Sequence, residues 1–435
     1  MWSLEVNDVL LRLRNDGETC YEQAGVAYLT NDTTALGDDA LAQLFIHPVQ
    51  CQTTYWQRMN EDAIEPRTRA IGKNSDLVYN QVVEAFSRSE VGLQDPGWVV
   101  VPSDFDNDQV GLLYGILEYK HVRPRGFLDA ALVAGSKGTV SDSAFFVDLQ
   151  LQRTVVTQLY QHDGQVEVVT VKSLPSAGYL QFVQRWIDTV AKRSLDETRF
   201  DPRVSGTTEQ QVFDRLCERI DGGNEIVISI EHHGETRSTS LLQDELAASG
   251  IDIYDRILSE CNPGTHLLLG EHAYRMPGFL EYIAGSGRTA EVCPTDASVE
   301  AVARVNEEIT ETADVELHKS IRRDTSATSS TFRSRPVDQP TSTPTPSKVP
   351  THALLEDAAY PIGVQRSISI DDVEVCSLYR ADDAVMLRTH DGRETYVNGK
   401  SVDGSTIVAS GDRVRIGPES PNAKEIVLIR VVDNG

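Results

Sequence analysis

Glu231-His232-His233-Gly234-Glu235 is the densest group of metal-capable side chains in the chain. It follows a strand pattern and reads as a polar turn. Neighbouring histidines on a strand point to opposite faces, so a shared ion is not expected. The cysteines, Cys20, Cys51, Cys217, Cys261, Cys293 and Cys376, are scattered, with no C-x-x-C pair and no histidine at zinc spacing. That spacing argues against a structural zinc site and against a disulfide framework, and no metal is assigned. A Walker A loop, a G-x-S-x-G elbow and a dinucleotide fingerprint are all missing from the sequence. Tyr55-Trp56, close after His47-Pro48 and Cys51, reads as core packing, with contact to a partner as the alternative. Any chemistry must therefore be assembled from residues that the fold brings together.

The elements that would do so alternate in type. Residues 4–13 read as a strand and 25–30 as a short second one, before a helical pattern over 38–46 with apolar Leu41, Leu44 and Phe45. Residues 74–86 form a helix with Ser75 as N-cap and an apolar face of Leu77, Val78, Val82 and Phe86. Gly97-Trp98-Val99-Val100-Val101-Pro102 is a buried strand stopped by proline, and a helix follows over 107–119. Hairpin-like strands open at Ala144-Phe145-Phe146-Val147-Asp148-Leu149 and continue to Val171, turning at Asp163-Gly164. Helices over 179–192, 208–220, 241–261 and 298–308 then alternate with strands over 225–230 and 266–269. This mixture predicts an α/β body with at least two sheets.

From 324 to 350 the chain has almost no large apolar residues, too few to offset the entropy of ordering it. It reads as a flexible Ser/Thr/Pro linker, bounded at 313–352. Beyond it, short strands over 367–370, 373–378, 384–388, 395–397, 413–416 and 425–432 are punctuated by Asp391-Gly392, Asn398-Gly399 and Gly411-Asp412. They predict a small all-β sandwich over 353–435.

Composition narrows the function classes. With 435 residues, 40% hydrophobic and 24% charged, the chain is long enough for two or three domains and is neither collagen-like nor wholly disordered. Its 66 acidic residues against 40 basic ones give a net charge of −26. No segregated basic patch is visible, so nucleic acid is excluded as a partner. Nine lysines beside thirty-one arginines make the surface acidic and lysine-poor, which suits a salt-rich cytoplasm. The start, Met1-Trp2-Ser3-Leu4-Glu5-Val6-Asn7-Asp8, lacks a basic stretch and an apolar core, and no apolar run nears the ~20 residues that span a bilayer. The reading is a cytoplasmic protein with no membrane partner.

The most specific signal lies in residues 98–135, where Val101, Pro102, Phe105, Gln109, Asp129, Ala130 and Ala131 fall in a recognisable order. Here the chain resembles the actin-like ATPase superfamily, and within it the nucleotide-binding domain of the seventy-kilodalton heat-shock chaperones. That family has a buried strand ending Val-Pro-Ala-x-Phe, a polar turn with Gln, a long helix, and a second strand leading to an acidic residue and an Ala-rich helix start. Phe146-Val147-Asp148 stands where the family begins its second lobe. His266-Leu267-Leu268-Leu269-Gly270 through Arg275-Met276-Pro277-Gly278 stands where it contacts adenosine. The resemblance covers about 1–309. It implies a two-lobed actin-like, ribonuclease H-like α/β fold, with lobes over 1–138 and 139–312, and ATP or ADP with Mg²⁺ as cofactor.

In that family two Gly-rich hairpins wrap the phosphates with backbone N–H groups, and an Asp in each holds Mg²⁺ through water. The resemblance assigns Asp8 and Asp148 to those carboxylates, Thr154 to the second hairpin, and Gly270 and Arg275 to the adenosine motif. Read without the family, Asp148 is a strand-end carboxylate serving turn hydrogen bonds, and Arg275 a surface arginine at a helix start. Lys73 is the nearest counterpart of the family's catalytic lysine, but no motif surrounds it and a solvated lysine is the preferred reading. The loops depart from the pattern together. Asp-x-Gly-Thr-Thr is replaced by Asp8-Val9-Leu10-Leu11, and Asp-x-Gly-Gly-Gly-Thr by Asp148-Leu149-Gln150-Leu151-Gln152-Arg153-Thr154. In the adenosine motif, the two glycines fall on Glu271 and His272. Bulky side chains there would fill the space of the phosphates and forbid glycine geometry, so ATP hydrolysis is not expected.

The tail carries a second resemblance. Thr395-Tyr396-Val397-Asn398-Gly399 and Ile407-Val408-Ala409-Ser410-Gly411-Asp412-Arg413-Val414-Arg415-Ile416-Gly417 look like the end of a forkhead-associated domain. Pro361-Ile362-Gly363 and Ser369-Ile370-Asp371-Asp372 would supply its first strands. That family reads phosphothreonine peptides through Gly-Arg and Ser-Arg-x-His loops. Here Gly363 precedes Val364, and Ser377-Leu378-Tyr379-Arg380 is the nearest match, leaving Arg366 and Arg380 as candidate phosphate contacts beside a purely structural role. Together these features predict a non-catalytic, chaperone-like scaffold that binds other proteins or peptides. The alternatives are a working ATP-driven chaperone, which needs Asp8 and Asp148 to meet across a cleft, and a phosphopeptide adaptor acting through the tail.

Overall fold

The computed structural model describes residues 1–89, 91–92, 95–138, 140, 143–219, 225–293, 295–308, 315 and 317–322, and in the tail 350, 352–355, 358–362, 365–370, 373–381, 384–389, 395–402, 405–410, 412–416 and 425–429. The chain divides into two compact units. The larger holds Met1–Ile283 and Arg288–Phe332, and the smaller Ala284–Gly287 and Arg333–Gly435. The whole is a mixed α/β protein.

The larger unit opens with an antiparallel meander of β1 (Trp2–Glu5), β2 (Leu11–Asn15) and β3 (Glu18–Gln23). The single strand expected over 4–13 is thus two strands. The Asn7 side chain accepts from Val9 N at 2.9 Å and its carbonyl from Leu10 N at 3.0 Å, folding the chain back in an Asx turn that apolar periodicity does not reveal. A small sheet of β4 (Ala27–Leu29), β5 (Thr34–Leu36) and β6 (Cys51–Gln52) follows. The helix expected over 38–46 is only the single turn α1 (Asp38–Leu41), because Phe45 N donates to Gln210 Oε1 at 2.9 Å rather than continuing the helical ladder. In α2 (Asn74–Ser87), Ser75 lies inside the first turn. The cap comes instead from Asp76, whose carboxylate accepts from Gly72 N at 2.8 Å and Lys73 N at 3.0 Å.

The buried strand β7 (Gly97–Val101) and the helix α3 (Asn107–Tyr119) lie where expected. A reciprocal box caps α3, with Gln109 N on Asp106 Oδ1 at 2.8 Å and Asp106 N on Gln109 Oε1 at 3.1 Å. β8 (Gly126–Asp129) leads into α4 (Ala130–Lys137), whose first turn Asp129 caps through Ala131 N at 2.8 Å. The resulting sheet runs β3-β2-β1-β7-β8. β7 and β8 are parallel to β1, and β2 is antiparallel to it.

The second half repeats this plan. β9 (Ser143–Leu149), β10 (Arg153–His162) and β11 (Gln165–Pro175) form a meander that turns at Asp163 and Gly164, both at positive φ. Helices α5 (Tyr179–Thr198) and α6 (Gly206–Arg219) precede the hairpin of β12 (Glu225–His232) and β13 (Glu235–Leu242). The helix expected over 241–261 is the end of β13 followed by α7 (Gln243–Ser249) and α8 (Ile251–Ser259), broken at Gly250. Leu241 fits helical spacing, yet it pairs with Ile226 in the sheet, and pairing overrides periodicity. β14 (His266–Leu269), α9 (Glu271–Tyr274), α10 (Phe279–Gly285), β15 (Thr289–Val292) and α11 (Ala297–Glu308) complete the half. The strand order β11-β10-β9-β14-β15 reproduces the first sheet, including its directions. The short β16 (Leu317–His318) and β17 (Ser320–Arg322) then add to β8 and β11 respectively.

Each sheet has its own apolar core. A third core of Trp98, Val100, Leu128, Phe146, Leu268 and Val302 joins the halves between α4 and α11. The smaller unit contains β18 (His352–Leu355), β19 (Ala358–Pro361), β20 (Gln365–Ile370), β21 (Val373–Ala381), β22 (Ala384–Thr389), β23 (Thr395–Val397), β24 (Lys400–Val402), β25 (Ser405–Val408), β26 (Arg413–Ile416) and β27 (Glu425–Ile429). Among the described residues they form two sheets, β19-β18-β27-β26-β23-β24 and β20-β21-β22-β25. Leu378, Val385 and Leu387 of one share a core with Val414, Ile426 and Leu428 of the other. The expected turns at Asp391-Gly392 and Gly411 lie outside the described residues.

Candidate functional site

The turns after β1 and β9 face each other, and Asp8 and Asp148 meet there. Asn7 Nδ2 crosses to Asp148 Oδ1 at 2.9 Å and to Leu149 O at 3.1 Å. From the other side, Gln150 Oε1 accepts from Asp8 N at 3.1 Å, while its amide donates to Asp148 Oδ2. Leu151 N donates to Asp8 Oδ1 at 2.6 Å. Arg153, 2% exposed, places Nε 2.6 Å from Asp104 Oδ2 and Nη2 3.0 Å from Asp104 Oδ1. Its Nη1 lies 3.8 Å from Asp8 Oδ2. Ser173 Oγ steadies Asp104 at 2.9 Å.

Burial dominates the electrostatics of this cluster. It pushes Asp8 up to about 6, against the pull of Arg153 and of the Leu151 amide. It pushes Asp148 up to about 7, against the Gln150 hydrogen bond and Arg153. Asp148 accepts from Gln150 within its own turn and from Asn7 across the cleft, so it is more than a turn-forming carboxylate.

These residues do not fit a magnesium-bound nucleotide. Both Asp148 oxygens and one Asp8 oxygen already accept protein hydrogen bonds, and a fixed guanidinium occupies the space beside the other. Leu151, 1% exposed, fills the second turn by packing on Ala24, Val26 and Ala40 of the first half. The space beside Asp8 is taken by Leu151 and the Arg153 guanidinium of the chain itself.

The remaining assigned residues separate. Gly270 belongs to the cluster: its N donates to Val147 O at 3.0 Å, and a Cβ there would lie 3.5 Å from Asp148 Oδ1. Thr154 does not, because it is fully buried and its hydroxyl donates to Ala177 O. Arg275 caps the end of α9 rather than starting a helix, and pairs with Glu271 at 2.9 Å on a half-exposed surface. Lys73 is exposed beside Glu61. Tyr55 and Trp56 are core residues that share Gln81 Oε1, the indole donating at 2.7 Å. His232 and His233 do not point apart: their rings lie 4.0 Å from one another, because His233 sits in the turn at φ 52° rather than on the strand. Among the described residues no group of His, Cys, Asp and Glu could hold a metal ion.

Beneath the cluster lies a cavity of about 100 Å³ lined by Glu5, Asn7, Arg12, Asp148, Glu271 and His272. That is below the ~300–1,000 Å³ typical of small-molecule clefts. Arg12 spans it, with Nε 2.6 Å from Glu22 Oε1 and Nη2 3.1 Å from Glu271 Oε2. Burial, with Arg275 and Arg12 nearby, pushes His272 down to about 4 in spite of Glu271, so the imidazole is neutral.

The two halves also touch at Phe45 and α6. Gln210 accepts from Phe45 N and donates to Leu41 O at 3.1 Å, and the rings of Phe45 and Phe213 stand 5.3 Å apart. The backbones approach so closely that a Cβ on Gly206 would lie 2.3 Å from Phe45 O. Gly206→Ala is therefore expected to destabilise the chain by about 2 kcal/mol, read as a lower urea midpoint.

Sequence reasoning missed Asn7, Asp104, Gln150 and Arg153 as members of the cluster. Only Gln150 carried a visible signal, an amide in place of an expected glycine; Asn7, Asp104 and Arg153 replace none. In the tail, the Asn398-Gly399 turn is internally satisfied, with Nδ2 on Asp412 Oδ1 at 2.8 Å and Oδ1 accepting from Arg413 N at 3.0 Å. The side chains of Arg366 and Arg380, and residues Gly363 and Val364, lie outside the described residues.

No protein-family model matches the sequence, and no curated protein matches it. Among the described residues, no helix is long and apolar enough to cross a membrane.

Proposed function

We propose that the chain is a heat-shock-chaperone-like protein of two-lobed actin type that has given up nucleotide chemistry. In this reading it serves as a cytoplasmic protein-binding scaffold, with a β-sandwich of forkhead-associated type tethered to it. The observation that carries the reading is the filled cleft. Asn7, Gln150, Leu151 and Arg153 occupy with cross-cleft bonds the space where phosphate loops would have to stand open. The repeated strand order supports the two-lobed part, since a duplicated unit accounts for both sheets. Two sheets around one core, with an Asn-Gly turn tied to Asp412, support the sandwich. That turn also supports a structural role for the tail, because Asn398 spends its amide on its own chain. A linker raises the local concentration of the second module for whatever protein the first one holds.

The test is calorimetric titration of the full chain with ATP and with ADP in Mg²⁺, at high salt. No heat and no thermal shift are expected. Micromolar binding that disappears in Asp148→Ala would overturn the reading in favour of an ATP-driven chaperone, for which the meeting of Asp8 and Asp148 is the favouring observation.

A further inference from the structure

We infer that the Arg153 guanidinium is a cation supplied by the chain itself to a three-carboxylate site, holding the two halves of the larger unit closed with no dissociable ion or ligand. The inference rests on the proposed reading that the cleft no longer serves nucleotide, and deepens it by naming what replaced the ligand.

Asp8, Asp104 and Asp148 reach this point from three separate segments: the turn after β1, the loop after β7 and the end of β9. Asp8 and Asp148 are buried and Asp104 is 16% exposed, so three negative charges at this point are costly without a positive partner. Arg153 is that partner. It binds Asp104 through two nitrogens, at 2.6 Å and 3.0 Å, and points the third at Asp8 from 3.8 Å. Asp8 Oδ2 and Arg153 Nη1 are both buried with no hydrogen-bond partner, and the two side chains are each 2% exposed. Asp8 has committed its other oxygen to Leu151 N, so the free one faces the cation alone.

The choice of arginine has a consequence that a lysine or a metal would not share. A guanidinium does not lose its proton in a protein, cannot be chelated and cannot dissociate. The closed state is therefore permanent where a metal-dependent cleft would cycle. Removing the guanidinium should recreate a demand for a diffusible cation.

The experiment compares the full-length wild type with Arg153→Ala and with Arg153→Ala/Asp104→Asn. Each is melted in millimolar Mg²⁺ and in EDTA, and hydrogen exchange is followed over 6–10 and 149–153. The wild type should melt at the same temperature in both. Arg153→Ala should melt about 8 °C lower in EDTA and exchange faster in both turns. Mg²⁺ should return about half of that loss, since a ligand that binds only the folded form stabilises it. The double variant should recover without metal, having lost one charge of each sign. An Arg153→Ala protein that melts like the wild type, or one whose loss neither Mg²⁺ nor Asp104→Asn repairs, would reduce Arg153 to packing and overturn the inference. Failure of the double variant to fold would overturn it too. A wild type stabilised by Mg²⁺ with ATP would instead sink the functional reading, so the two failures are distinguishable.

Discussion

Between about pH 4 and about pH 7 the wild type is expected to lose about 4 kcal/mol of stability that an Asp148→Asn variant does not lose. Burial lifts the Asp148 carboxyl from 3.8 to about 7 in the folded chain, with Gln150 and Arg153 only partly opposing it. An acid whose folded pKa is raised binds more protons folded than unfolded. Its favourable contribution is therefore complete below the unfolded value and is lost as pH rises through the folded one. Above about 7 the penalty is constant, because both states are ionised. Asp8, raised to about 6 by the same burial, adds a smaller loss over a lower window. The measurement is urea unfolding at a series of pH values, read as the difference between wild type and Asp148→Asn so that the other carboxylates cancel. A flat difference curve would show that Asp148 is already ionised at low pH and that water reaches it.

The parts of the fold that could be read from the sequence are those whose signals are local. β7 is a continuous apolar run ended by Pro102, and α3 begins at a reciprocal box between Asp106 and Gln109. The failures come where a long-range partner decides. Residues 4–13 alternate well enough for one strand, but Asn7 folds the chain back on itself. Phe45 abandons its helix for a glutamine 165 residues away. Leu241 is claimed by a partner strand.

The same division runs through the site. That Asp8 and Asp148 would face each other came only from the family resemblance, because a single strand over 4–13 leaves Asp8 in mid-strand with no turn to present it. Thr154 was misplaced by the rule of two: it pairs with Leu149, whose side chain faces the second core, and so shares that face rather than the cleft. Asn7 finds Asp148 across 141 residues, and Arg153 finds Asp104 across 49. No spacing along the chain encodes such meetings. Gln150, Leu151 and Gln152 rule out a glycine-type backbone loop at this turn, but their spacing does not reveal that Gln150 bonds across the gap to Asp8.

Arg12→Met should cost about 3 kcal/mol, because it removes the second cation that spans the cleft while preserving most of the side chain's volume. Arg12 is 8% exposed and bridges β2 to the segment after β14, with Glu22 and Glu271 in hydrogen-bond contact and Glu5 at 3.9 Å. Burial alone would raise Glu271, yet Arg12, with Arg275 beside it, outweighs that and holds it below its ordinary value. Without Arg12, Glu271 keeps only the half-exposed Arg275, and part of its charge is stranded. Glu271→Gln in the same chain should therefore restore about 1 kcal/mol or more, a coupling that a double-mutant cycle reads directly. Additive losses would mean that Arg12 contributes through packing on β2 and that the bridge to Glu271 is incidental. Coupling would instead identify Arg12 as a second tie between the halves, separate from Arg153 and made to Glu271.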